Sequence, residues 1–291
     1  MGLTKKITNN KLMSFEYQKQ TGVNLEQERR VNFEKLRDLL KKIAEALNKE
    51  GLPVTEEARI DMKAFYRSRQ NPNSPYQKEE VKKDETYVAE MERKFQEQRG
   101  RNYPAGQNKE GRGEKVEMLK TAVFHKMVGN QFAVMRSSRY DDIKNGVDNV
   151  VVDKETGGII CAFDEVADNT GSRFKEKEAA ILDERNKNGA SLKYGIIQKG
   201  EQIIESEIKN IPTLYLCLSP EDLDRGMEEL IPELGQASEF EKKLFDYFVK
   251  TIEAQISALN LKGNLNPLIK KRLDEFVTSL DKMKGIAANN C

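Results

Sequence analysis

The segment NGVDNVVVDKETGGIICAFDEV, Asn145 to Val166, decides the fold. Two apolar runs rich in β-branched residues, VDNVVVD and IICAFDEV, flank KETGG, a glycine-bearing stretch suited to a tight reversal. The pattern predicts a hairpin of two antiparallel neighbours. Asp148 sits at the mouth of the first strand, and Asp164 and Glu165 end the second. Pairing across the turn brings those acids to one end of the sheet.

Working outward, Glu114 to about Val128 reads as a helix with Val116, Leu119, Val123 and Met127 on one side. A short strand, QFAVMRSS, follows Gly129, and RYDDIKNG reads as a turn-rich piece before the hairpin. After the hairpin come a Lys/Glu/Ala-rich helix over 173–187 and three strand candidates, LKYGIIQ, EQIIESEI and TLYLCLS. This order predicts an α/β fold, a mixed sheet flanked by helices, over residues 113–219.

The flanks are expected to be helical. Residues 1–23 read as polar and loosely ordered, and a helix carries Leu36, Leu39, Leu40, Ile43 and Leu47 until Gly51 and Pro53 end it. Further helices are expected from Thr55 to about Arg69 and over 79–99, and 100–113 reads as a linker closing an N-terminal region of 1–112. In 220–291, Ser219-Pro220-Glu221 starts one helix, a Ser238/Glu241 capping box starts a second, and Asn266-Pro267 starts a third. The last two are expected to pair as a hairpin.

Composition narrows the functional classes. The chain has 291 residues, 33% charged and 37% hydrophobic, a polar globular balance with a net charge of +1. Residues 1–50 lean basic, with 11 Lys/Arg against 7 Asp/Glu, and so could extend a surface for an anionic polymer. Cys161, Cys217 and Cys291 fit neither a zinc motif nor a disulfide framework, which suggests a reducing compartment. No apolar run approaches the roughly 20 residues that span a membrane. No hydrophobic signal core opens the chain, so a cytoplasmic location is expected. P-loop, HExxH, EF-hand and GxSxG patterns are all missing, and the one histidine, His125, reads as a packing or surface residue.

The acids therefore carry the chemistry. Like charges facing each other at a buried strand end repel and lose hydration, and a divalent cation relieves both penalties. Glu117, beside the apolar stripe of the preceding helix, could reach the same end, with Glu114 as the other candidate. Asp141 and Asp142 could join, but read first as turn formers. Arg136, Arg139, Lys144, Lys175 and Lys177 surround these acids in sequence and could contact phosphates.

Residues Gly113 to Ser219 resemble the PD-(D/E)XK nuclease superfamily, whose core is a helix with a glutamate, a three-stranded meander, a helix and a further strand. Asp148 matches the aspartate at the start of the second strand, and Asp164 or Glu165 matches the acid near the end of the third. The lysine that normally follows two residues later is replaced by Val166 or Ala167. The resemblance implies metal-dependent phosphodiester hydrolysis, with Asp148, Asp164, Glu165 and Glu117 holding Mg²⁺ (or Mn²⁺) and nucleic acid, DNA ahead of RNA, as substrate. It also implies that Lys175 or Lys177, on the next helix, stands in for the missing lysine. The alternative expectation is a nuclease-like module that binds nucleic acid or protein without cleaving.

Overall fold

The hairpin forms where its sequence requires. β2 (Asn149–Asp153) and β3 (Ile159–Val166) run antiparallel, with Val150 opposite Ala162 and Val151 opposite Cys161. The Asp153 carboxylate accepts the amides of Glu155 and Thr156 at 2.8 and 3.3 Å, and Gly157 adopts the left-handed backbone of the reversal, φ 69°. The computed structural model describes residues 4–67, 74–102, 111–166, 176, 179–180, 186–199, 202–263 and 265–289.

β1 (Phe132–Arg136) pairs antiparallel with β2, and β6 (Thr213–Cys217) pairs parallel with β3, giving a mixed sheet of order β1-β2-β3-β6. Every residue of β1, β2 and β6 is buried, so both faces are covered. The helix α3 (Arg112–Val128) lies on the sheet, where Phe124 meets Phe163 at 5.9 Å and Phe245 and Phe248 at 5.3 and 5.8 Å between ring centroids. Each such aromatic pair contributes about 1 kcal/mol beyond its buried area.

Four local expectations are corrected. Helix α1 runs through Thr4–Lys49, so the first residues continue the helix instead of preceding it; no proline interrupts them. The segment read as a helix from Thr55 is a tight excursion in which Val54 and Ile60 form a bridge, followed by a 3₁₀ turn at Met62–Phe65. The edge of β1 decides this. The Ile60 amide donates to the Arg136 carbonyl at 3.0 Å, and the Arg136 amide donates to Ala58 at 2.8 Å, which caps an otherwise open ladder. RYDDIKNG is a short helix, α4 (Arg139–Asn145), started by the Ser138 side chain and ended by Gly146 at φ 62°. Finally, LKYGIIQ and EQIIESEI form a separate ribbon, β4 (Ala190–Lys199) with β5 (Gln202–Ile211), outside the main sheet.

The charge-laced segment is helix α2 (Lys78–Asn102), fastened to the ribbon where the Tyr194 hydroxyl donates to Asp84 at 2.6 Å. The C-terminal helices α5 (Pro220–Glu228), α6 (Glu239–Lys262) and α7 (Pro267–Asn289) follow their sequence signals, including the reciprocal Ser238/Glu241 capping box. α6 docks on the sheet through Gln255, which bonds the Tyr215 amide and carbonyl at 2.9 and 2.8 Å. Glu241 also takes Lys126 of α3 in an ion pair at 2.5 Å, with both side chains fully buried. Most of the helix expected over 173–187 and residues 103–110 of the expected linker lie outside the described residues.

Candidate metal centre

Asp148 stands one residue before β2, yet its backbone is already in the ladder on both sides. Its amide donates to Phe163 at 2.9 Å, and its carbonyl accepts the Ser137 amide at 2.9 Å. Asn149 pairs with Phe163, so one step outward Asp148 and Asp164 occupy adjacent strand ends. Both are nearly buried, 9% and 3% exposed. Glu117 comes from the second turn of α3 and Asp142 from α4. One carboxylate oxygen each from Glu117, Asp142 and Asp148 lies within 4.8 Å of the others.

Lys120 completes the group. It lies one turn beyond Glu117 on α3, is wholly buried, and holds its Nζ 4.9 Å from the centre of the Phe163 ring. Burial pushes its ammonium down to about 7, against the pull of Asp148, Glu117 and Asp164. Burial likewise pushes Asp148 well above the usual carboxylate range; Glu117, Asp164 and Asp142 add to the rise and Lys120 opposes it. Asp164, at the adjacent strand end, adds to the rise of Asp148 but falls outside the group of three that share the 4.8 Å spacing.

Three arginines brace the remaining acids. Arg59 donates to Glu117 at 2.9 Å and lies 3.1 Å from the Asp142 carboxylate. Arg136 donates to the same Glu117 oxygen at 2.9 Å and to Glu114 at 3.3 Å. Arg139 grips Asp142 at 2.6 Å and Glu92 at 2.8 Å. Glu114 is desolvated, but Arg136 and Arg59 outweigh that effect and hold it below the ordinary range. The expectation that Arg136 could contact phosphate is corrected, because it is wholly buried and committed to carboxylates; Arg139, partly exposed, pairs with Asp142 and Glu92. Lys144 lies over the Tyr87 ring, 5.5 Å from its centre.

The structure also separates the two acids of α4. Asp142 enters the cluster, whereas Asp141 serves the fold. Its carboxylate accepts the amides of Lys193 and Tyr194 at 2.7 and 3.1 Å, Asn145 Nδ2 at 2.6 Å and the Ser138 hydroxyl at 2.7 Å, tying α4 to β4. Glu165 pairs through its backbone with Leu216 of β6; its side chain, and Lys175 and Lys177, lie outside the described residues. Lys120 and Arg59 escaped the reading of the sequence. For Lys120 the available signal was Glu117-Met118-Leu119-Lys120, a lysine one turn from the candidate glutamate inside an apolar helix.

The donor set fits a hard divalent ion. It offers clustered carboxylate oxygens, with neither histidine nor cysteine among the three grouped residues, as Mg²⁺ or Mn²⁺ prefers. Comparison of the chain with models of known families, with curated proteins and with solved structures finds no match. Among the described residues no helix is long and apolar enough to cross a membrane.

Proposed function

We propose that the chain is a divalent-metal-dependent nuclease built on a PD-(D/E)XK-type core. The observation that carries this reading is the convergence of Glu117, Asp148, Asp164 and the buried Lys120 at one end of a β1-β2-β3-β6 sheet. A helix glutamate, an acid opening the second strand and an acid near the end of the third form the constellation that the resemblance implies. Glu117, Asp142 and Asp148 would hold Mg²⁺ or Mn²⁺, with Asp164 setting the field from the adjacent strand. The bound ion supplies Lewis acidity to phosphodiester hydrolysis. Lys120 would supply the positive charge that the third strand lacks at Val166, held by burial with its Nζ over the Phe163 ring and within the field of the same carboxylates. Arg59 and Arg136 orient Glu117, so its carboxylate needs no rearrangement when the ion arrives.

The test is cleavage of supercoiled plasmid, linear duplex, single-stranded DNA and RNA by the full chain with Mg²⁺ or Mn²⁺. Activity that needs the metal and disappears in Asp148→Asn supports the reading. Equal activity in wild type and Asp148→Asn, or no hydrolysis of any of the four polymers, sinks it. A second reading, a non-cleaving module on the same core, is favoured by one specific observation: Glu117 and Asp142 already have arginine partners. Under that reading Mn²⁺ does not bind, whereas a nuclease binds it.

A further inference from the structure

Arg59 is the contribution of the N-terminal region to this centre, and its position is unusual. Its guanidinium spans Glu117 at 2.9 Å and Asp142 at 3.1 Å, two of the three acids grouped around the candidate ion site. The side chain is only 6% exposed, and it donates weakly to the Ser137 carbonyl at 3.5 Å. Its backbone is equally constrained, because Ala58 and Ile60 on either side bond to Arg136 of β1. Ala58 takes a left-handed backbone, φ 53°, uncommon for a residue with a Cβ, and this shapes the excursion that carries Arg59 inward.

Centres that hold two metals place them about 4 Å apart, so that carboxylates bridge both ions. The Arg59 fork does to Glu117 and Asp142 what such a second ion would do. It pairs with both and fixes their separation, and its single positive charge is permanent. Both carboxylates carry a second arginine as well, Arg136 on Glu117 at 2.9 Å and Arg139 on Asp142 at 2.6 Å, which adds positive charge on this side of the cluster and disfavours a second divalent ion there.

We propose that Arg59 is a built-in cation that occupies the place of a second metal, so that this centre takes a single divalent ion. This rests on the metal-centre reading above, and it makes Arg59 a positioning residue that sets how many ions bind. The experiment is Mn²⁺ binding to the full chain, with stoichiometry from calorimetry and from electron paramagnetic resonance of free Mn²⁺. Wild type, Arg59→Met, Arg59→Lys and Asp148→Asn are compared. The expected result is one ion in wild type and Arg59→Lys, two in Arg59→Met, and loss of at least tenfold in affinity in Asp148→Asn. Two ions in wild type overturn the proposal even if Arg59→Met does not fold. One ion in both wild type and a folded Arg59→Met also overturns it, while leaving the metal centre intact. No Mn²⁺ in any of the proteins removes the metal reading and the proposal together.

Discussion

Replacing Lys120 with methionine separates a functional lysine from a structural one. An ammonium wholly buried on the sheet face of α3 is expensive to keep: burial lowers it from 10.5 to about 7. At about 1.4 kcal/mol per unit, that difference amounts to roughly 4 kcal/mol against folding at pH 7, with the pull of the neighbouring acids already included. Methionine keeps the unbranched stem and its packing on Phe163 without the charge. Burial and the neighbouring acids hold Asp148 well above its usual range, and removing the ammonium takes away the charge that opposes that rise. We therefore expect Lys120→Met to gain about 1–3 kcal/mol in urea unfolding at pH 7 without metal, while metal-dependent cleavage falls about a hundredfold or more.

The pH dependence gives an independent check. The folded-state value of Lys120 is depressed, so its contribution to stability is fully present above the unfolded value of 10.5 and is lost as pH falls through about 7. Wild-type stability should thus rise between pH 7 and 10, and Lys120→Met should flatten that rise. A Lys120→Met protein that loses several kcal/mol at pH 7 would refute the reasoning, because the lysine would then be a structural counter-ion to Asp148 and Asp164.

Three further outcomes are expected. His125, the one histidine, is pushed by burial, and secondarily by Lys154, to about 4; stability present above pH 6.5 should fall by about 3 kcal/mol as pH drops through 4, and an imidazole proton signal titrating near 6.5 would count against this. Lys126→Met strands Glu241 without its cation in a fully buried pair, and should destabilise by about 3–5 kcal/mol, with partial recovery in the Lys126→Met/Glu241→Gln double variant; additive losses in denaturant melts would contradict it. Mn²⁺ at a hundred times its wild-type dissociation constant should stabilise wild type by about 2.7 kcal/mol and Asp148→Asn by no more than about 1.4 kcal/mol, so equal thermal shifts in both would place the ion elsewhere.

Much of the fold was legible because its signals are local. The KETGG hairpin, the apolar stripe of α3 and the Ser238/Glu241 capping box each need only neighbouring residues to be recognised, and each forms as expected. The misreadings share a different cause. Thr55 to Arg69 carries helix-compatible residues, but the unfilled edge of β1, some 80 residues later, draws residues 58–60 into a bridge. Asp141 and Asp142 look alike in sequence. Only the later strand β4, which offers the amides of Lys193 and Tyr194 to Asp141, makes one structural and leaves the other in the cluster. Glu117 and Asp148 were legible as partners because topology brings a preceding helix over the start of β2. Lys120 was not, because a lysine among Leu119, Ala122 and Val123 reads as the polar margin of an amphipathic helix, and its complete burial depends on Phe163 of another strand.

The composition of the buried cluster is itself an argument for function. Sets of charges buried together seldom stabilise a protein more than apolar residues of the same size would, since desolvation offsets most of their attraction. Here the charges come from distant parts of the chain: Arg59, Glu117 and Lys120, Arg136, Asp142, Asp148 and Asp164. A core held together only by packing could fill this end of the sheet with the valines and phenylalanines that occupy the rest of it. It holds instead an uneven ionic set, acid in excess, with Asp148 raised first by burial and then by the acids around it. A divalent cation would resolve that imbalance, and under the proposal above Arg59 would limit how many the site accepts. Metal binding and Lys120-dependent cleavage are therefore separable expectations: if the folded chain binds Mn²⁺ through Asp148 and Lys120→Met cleaves at the wild-type rate, Lys120 has no part in the chemistry and the catalytic reading rests on the carboxylates and their ion alone.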